Sequence, residues 1–445
     1  MLHGAALLMS LAATSATPLV DLQILPLPGD PSVPPLQIQW LGAESEALCM
    51  DGSKYGYYFR PASSAAGAKK WVIELQGGGW CYNEGACYGR TLPSYGGGNF
   101  GSSKNWTDTF GNGYFLENQD WNRVFLRYCS GASFTGYRKE GWDASNWVIP
   151  GHMPPNNRVP NGTKLWFRGA TNLAATVADL QKKHGMDTPD ELILTGSSAG
   201  GLATMLNLDR VNAITKPKRI AGMADAGFFK YEHNHSTKKY SGSANFSADM
   251  QYVFDMVNAS GSLSAKCQAA QTPPAGAPVP EPGGAERPKG GAWNCIVAAT
   301  AEAYVENPLF ILQSRFDHFQ LSSIAGLPCM TAQSYSPPWK EVNCPADDVA
   351  SMKAYGADLY AEIERVTKEP AVQRGVFLSA CIVHGQSNVN AWTKTAVQGV
   401  TPQAAWRAWY SGLSNGSSAV WVEECADGLP CNPNALSCAP YNTTG

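Results

Sequence analysis

The chain has 445 residues, with 33 Lys and Arg against 36 Asp and Glu and a net charge of −3, so it lacks the basic surplus of a nucleic-acid-binding surface. Apolar residues make up 44 % and charged residues 16 %, against roughly 25 % charged in an ordinary soluble domain; this composition excludes a disordered chain and leaves a sparsely charged surface. The length admits two or three domains, yet α/β enzymes of this size also form one.

Residues 1–16, MLHGAALLMSLAATSA, join an apolar run to a small-residue end and are expected to be a secretory signal peptide, although no Lys or Arg precedes the run. No other segment approaches ~18 consecutive apolar residues, so no membrane span is expected. Residues 72–75 in KWVIELQGGGW form a short β-rich run that breaks into glycines, the pattern of a buried strand feeding a tight loop. Residues 123–128 in WNRVFLRYCSGASF repeat that pattern. In residues 168–184, Leu173, Val177 and Leu180 recur at helical spacing. Residues 191–195, ELILT, read as a strand that runs into GSSAGG and a helix, LATMLNLDRV. Further strands are expected at 220–224, 309–313 and 376–380, and a helix at 352–366.

Strands alternating with helices predict an α/β fold with a mostly parallel central sheet flanked by helices, because parallel neighbours need crossover connections. One such domain is expected over residues 17–445. Its regular pattern is interrupted at about 271–291 by QTPPAGAPVPEPGGAERPKGG, which lies between Cys267 and Cys295 and reads as a surface insertion.

The twelve cysteines are an even set. They contain no C-x₂-C pair and no accompanying His-x₃₋₅-His, so disulfides in an oxidising compartment are expected and a metal site is not. Acceptor sequons at Asn105, Asn161, Asn234, Asn245, Asn258, Asn415 and Asn442 point to a glycoprotein on the secretory route.

Gly196-Ser197-Ser198-Ala199-Gly200 fits G-x-S-x-G with Ser198 at its centre, between an expected strand and an expected helix. That context makes Ser198 the nucleophile candidate, since a serine on a sharp strand-to-helix turn needs small neighbours. Ser197 is out of frame, because Thr195 would stand where the first glycine belongs. A serine hydroxyl needs a His to take its proton and an acid to orient that His. In α/β-hydrolases the acid and the His follow the serine, on loops after later strands. Asp317 in PLFILQSRFDHFQL and His384 in GVFLSACIVHGQS occupy such places. Of the seven His, 3, 152, 184, 233 and 235 precede that acid, and His318 adjoins it too closely to be oriented by it. Asp225, at the end of the strand after the nucleophile helix, is a rival acid and is read instead as a hydrogen-bonded turn residue. Backbone N–H groups must hold the oxyanion of acyl transfer. Ala199 offers one, and the loop Gly77-Gly78-Gly79-Trp80 offers others. Neither a P-loop nor a G-x-G-x-x-G motif is present, so no nucleotide cofactor is expected.

With these residues in place, the chain resembles the pectin acetylesterase family and its animal branch, Notum. The resemblance is carried by LQGGGWCYNEGAC at 75–87, NRVFLRYCSGASFTG at 122–136, LTGSSAGGLATML at 194–206, ADAGFF at 224–229, PLFILQSRFDHFQL at 308–321 and FLSACIVHGQ at 377–386. It implies the α/β-hydrolase fold, no cofactor, and the triad Ser198, Asp317 and His384. It further implies an oxyanion hole of Gly78, Gly79 and Ala199, and disulfides pairing Cys81 with Cys87, Cys49 with Cys129 and Cys267 with Cys295. The implied function is a secreted, monomeric serine carboxylesterase that removes O-acetyl groups from an acetylated, pectin-like polysaccharide. The alternative is removal of a fatty acyl group from a protein or lipid, as in the Notum branch.

Overall fold

In the computed structural model the described residues are 33–424, without 94–99, 116, 151–156, 231–245, 273–290, 332–343, 369–371, 388 and 416–418. The expected signal peptide, Asn234, Asn245, Asn442, Cys425, Cys431, Cys438 and most of the Pro/Gly-rich run lie outside them.

The chain begins with strands β1 (Leu36–Trp40), β2 (Gly56–Arg60) and β3 (Lys70–Leu75), then a short helix α1 (Glu84–Gly89), β4 (Thr109–Phe110) and β5 (Asn122–Leu126). A small hairpin of β6 (Trp142–Asp143) and β7 (Lys164–Leu165) precedes α2 (Gly169–His184), β8 (Glu191–Ser197), α3 (Ala199–Thr215) and β9 (Arg219–Asp225). Helices α4 (Phe246–Val257), α5 (Ala265–Gln271) and α6 (Ala298–Ala301) lead to β10 (Leu309–Ser314). Then come α7 (Pro328–Thr331), α8 (Ala346–Lys368), β11 (Arg374–Ser379), α9 (Val389–Lys394), α10 (Pro402–Gly412) and β12 (Ala419–Val422).

Ten of these strands form one sheet in the order β12-β11-β10-β9-β8-β3-β5-β2-β1-β4. Every pairing from β12 through β5 is parallel, and β2, β1 and β4 close one edge as antiparallel neighbours. A parallel strand is buried on both faces, and successive side chains point opposite ways. Accordingly Leu192, Leu194, Ile311, Val376 and Leu378 pack with Leu173 and Val177 of α2, Leu202 and Leu208 of α3 and Leu359 of α8. Their neighbours Ile193, Met223, Phe310, Leu312 and Phe377 face the other way, onto Trp392 of α9 and Trp406 and Trp409 of α10. The register sets the site: β8 pairs Ser197 with Asp225 of β9, β9 pairs Asp225 with Leu312 of β10, and β10 pairs Ser314 with Ser379 of β11. The carboxyl ends of four adjacent strands therefore lie side by side, where open α/β sheets place their ligands.

Each expected strand and helix is present. Helix α2 stops at Gly185, whose φ of 72° lets its N–H reach the Leu180 carbonyl. Cys49–Cys129, Cys81–Cys87, Cys267–Cys295 and Cys329–Cys344 are disulfides, and Cys381 is also disulfide-bonded. At the Pro/Gly-rich run, Gly291 donates its N–H to the Gln271 carbonyl, so the two ends of that segment meet beside the Cys267–Cys295 bridge.

Candidate active site

Strand β8 ends at Ser197 and helix α3 begins at Ala199, leaving Ser198 to make the whole turn at φ 61° and ψ −128°. An L residue adopts that conformation at a cost of about 1–3 kcal/mol. The two motif glycines are needed for closeness. A Cβ on Gly196 would lie 2.5 Å from both the Leu75 and Gly200 carbonyl oxygens, and one on Gly200 would lie 2.0 Å from the Leu75 oxygen. Ser198 donates its backbone N–H to the Asp225 carbonyl at 2.8 Å. Ala199 is the first residue of α3, so its N–H has no partner within the helix and lies at the positive end of its dipole.

The glycine loop after β3 lies against this turn: a Cβ on Gly77 would be 2.3 Å from the Ser197 carbonyl oxygen and 3.0 Å from Ser198 Cβ. Gly78 and Gly79 have φ values of 139° and 60°, backbone that only glycine adopts freely. Tyr128 donates its hydroxyl to the Gly79 carbonyl at 2.9 Å, and Trp80 donates its indole N–H to Ser133 Oγ at 2.8 Å.

Asp317 follows β10, is fully buried, and places its two carboxylate oxygens 3.0 and 2.9 Å from His384 Nδ1. Each oxygen has a further donor, the Gln320 N–H at 2.9 Å and Gln313 Nε2 at 3.2 Å. The structure thus joins the expected acid and base. With the carboxylate accepting at Nδ1, the Nε2 atom of a neutral ring is left free to take a proton.

Asp225 sits elsewhere in the same cluster. Its carboxylate accepts the Gln386 N–H at 2.9 Å, the Ser387 N–H at 3.0 Å and the Ser387 hydroxyl at 2.7 Å. It ties down the loop that carries His384, while its own backbone carbonyl holds Ser198. Burial raises its pKa, and the donors from Ser387 and Gln386 pull against that rise. His318 is fully buried, and desolvation lowers its pKa to about 4, with the charge of the adjoining Asp317 pulling against that fall.

Around His384 stands a set of rings that the sequence did not reveal. Phe319 and Phe229 have centroids 5.2 and 6.5 Å from the imidazole, and Trp80 packs against Phe229 at 4.8 Å, Phe246 at 5.6 Å and Phe319 at 6.2 Å. Trp80, Phe229 and Phe319 lie in the segments LQGGGWCYNEGAC, ADAGFF and PLFILQSRFDHFQL, yet nothing local shows that they meet, and Phe246 lies in no such segment.

The pKa of His384 is displaced upward. Burial disfavours its cation, but the charge and hydrogen bond of Asp317, with the charge of Asp225 behind them, outweigh that penalty. A base must be neutral to accept a proton, so kcat/KM for a soluble acetyl ester is expected to rise with pH through a midpoint above the ordinary 6.5. A midpoint below that value in a pH–rate profile would contradict the paired geometry. The linked stability has the opposite sense: it is full below the unfolded value and is lost as pH rises through the folded one.

Known proteins share this arrangement of elements. The sequence model of the pectinacetylesterase family matches residues 34–436. Pectin acetylesterase 11 of Arabidopsis thaliana is 28 % identical over 354 residues, 76 % of this chain and 77 % of that one. Pectin acetylesterase 5 of the same plant is 25 % identical over 428 residues, 92 % of this chain and 86 % of that one. The palmitoleoyl-protein carboxylesterase NOTUM of Schmidtea mediterranea is 27 % identical over 302 residues, 64 % of this chain and 49 % of its own. A crystal structure of the Wnt deacylase Notum from Drosophila superposes with a TM-score of 0.67 at 22 % identity, covering 88 % of this chain and 97 % of that one. The chain belongs to the pectinacetylesterase family and is a carboxylic-ester hydrolase with the α/β-hydrolase fold.

Proposed function

We propose that this protein is a secreted serine esterase that removes O-acetyl groups from a pectin-like polysaccharide. Ser198 attacks the acetyl carbonyl while His384, oriented by Asp317, takes the hydroxyl proton. The tetrahedral oxyanion is held by the N–H groups of Gly78, Gly79 and Ala199. Collapse expels the sugar hydroxyl, which receives the proton from His384. Water, activated by the same His, then hydrolyses the acetyl-enzyme to acetate and free Ser198.

The observation that favours a short acyl group is the state of the aromatic set. Trp80, Phe229 and Phe246 are only 6 %, 0 % and 1 % exposed, so these three rings pack chiefly on one another and on Phe319, which is itself half-buried, rather than lining an open channel. A fatty chain needs an apolar pocket, and these rings would have to separate to make one. The cleft of about 530 Å³ between the segment after β1 and α2 is no substitute: Glu44, Glu46, Lys139, Arg168, Lys182 and Lys183 line it, and no triad residue does.

Secretion is supported by the disulfides and by the exposed positions of Asn105, Asn161, Asn258 and Asn415. No described helix is long and apolar enough to cross a membrane.

The test is hydrolysis of p-nitrophenyl esters from acetate to palmitate, followed by acetate release from acetylated pectin. The expected kcat/KM is highest for acetate and at least about tenfold lower by octanoate, since each misplaced methylene costs about 1–3 kcal/mol. A preference for palmitate would replace this reading with fatty-acyl removal.

A further inference from the structure

We propose that Arg90 is a positioning residue for the oxyanion hole, holding the Gly78 carbonyl so that the N–H of Gly79 is aimed at the reacting ester. This rests on the assignment of Gly78, Gly79 and Ala199 made above. Arg90 follows helix α1 directly and is 1 % exposed. Its guanidinium donates to the Gly78 carbonyl oxygen. The same group packs on the rings of Phe100, at 5.4 Å, and Tyr128, at 6.0 Å, which fix its position.

The physical argument begins with the glycines. At φ values of 139° and 60°, Gly78 and Gly79 are free to adopt many other conformations. Side-chain sterics cannot hold such a loop, so its shape must come from what its carbonyls bond to. Two consecutive carbonyls are held, Gly78 by Arg90 and Gly79 by the Tyr128 hydroxyl. In a planar trans peptide the C=O and the following N–H point in opposite directions. Pinning the Gly78 oxygen on the Arg90 side therefore points the Gly79 N–H toward the opposite side.

The donor is also a cation. A charged hydrogen bond to one end of a peptide polarises it, making the N–H at the other end a stronger donor. A buried positive charge one peptide away from the developing oxyanion stabilises it further where little water screens the interaction. Neither effect requires Arg90 to touch the substrate.

The experiment compares wild type, Arg90→Met and Arg90→Lys, measuring p-nitrophenyl acetate kinetics, thermal melting and the inhibition constant of a trifluoromethyl ketone. The tetrahedral adduct of that ketone places an oxyanion in the same hole. Arg90→Met is expected to lower kcat by about 10²-fold, as loss of one oxyanion donor does, with KM within about twofold, the mark of an interaction made in the transition state. The ketone's inhibition constant weakens by the same factor as kcat/KM. Arg90→Lys restores roughly tenfold of the loss, since it keeps the charge without the planar fork.

A merely structural role would lower the active fraction and leave inhibitor affinity per active site unchanged, and that result would overturn the proposal. So would wild-type kcat in Arg90→Met. If Arg90→Met does not fold, Arg90→Gln, which keeps a donor without the charge, is read by the same criterion of matched losses. A wild type that cleaves no ester would instead refute the site assignment.

Discussion

Replacing Ser198 with Ala is expected to lower kcat for an acetyl ester by on the order of 10⁶-fold, the scale seen when a triad serine is removed. The hydroxyl is the only atom the proposed mechanism offers for covalent attack. What remains is the modest rate provided by the oxyanion donors and by binding. The variant should melt close to wild type, because Ala meets the same strained backbone. Ser198→Gly separates the two roles of the position. At φ 61° and ψ −128° glycine pays no Cβ penalty, so this variant should be equally inactive yet melt higher. Turnover near wild type in Ser198→Ala would remove Ser198 from the mechanism. A lower melting temperature in Ser198→Gly would show that the turn is not strained.

Asp317→Asn is expected to cost about 10⁴-fold in kcat, the scale for the equivalent change in a serine protease triad. The carboxylate now offers two acceptor oxygens to three donors, His384 Nδ1, the Gln320 N–H and Gln313 Nε2. An amide has one acceptor oxygen and adds a donor of its own. One of the three must then face an N–H₂ group, and the imidazole can relieve the conflict by moving its proton to Nε2. In that tautomer His384 cannot accept the Ser198 proton. The acid limb of the pH–rate profile should also fall toward lower pH, because the charge that raised the His384 pKa is gone. Asp225→Asn is the control: its oxygens bond to Gln386 and Ser387 rather than to the imidazole, so its kcat should fall far less. Steady-state kinetics of the two variants decide between the two acids, and a larger loss in Asp225→Asn would reverse their assignment.

The elements that were legible in the sequence are those whose burial leaves a continuous or periodic mark. Strands β8 to β11 are covered on both faces and so read as apolar runs, and Leu173, Val177 and Leu180 mark the inner stripe of α2. Two of the strands that were not legible sit at the edges of the sheet, whereas β2, GYYFR, lies buried inside it between β5 and β1. Strand β1, LQIQW, next to the two-residue edge strand β4, buries only Leu36 fully, so it mixes polar and apolar residues and leaves no continuous apolar run. Strand β12, AVWV, is four residues at the opposite edge. Helix α10 carries a local start signal: Thr401 caps the Ala404 N–H and Pro402 takes the first turn.

The sequence by itself determined the chemistry on offer. The frame of G-x-S-x-G makes Ser198 the candidate nucleophile, chain order with position after a strand makes Asp317, with Asp225 as its rival, and His384 the candidate acid and base, and a glycine run is the candidate oxyanion loop, because each needs a particular residue at a particular place in a strand–loop pattern. Only the tertiary structure decided how those groups are held and what fits beside them. Arg90 reaches Gly78 across a disulfide-closed turn, Asp225 reaches a loop 161 residues away, and four rings from separate segments pack together beside His384. Such contacts depend on where distant segments finally pack. Hydrogen-bond partners and empty volume are properties of that packing and leave no periodic trace along the chain.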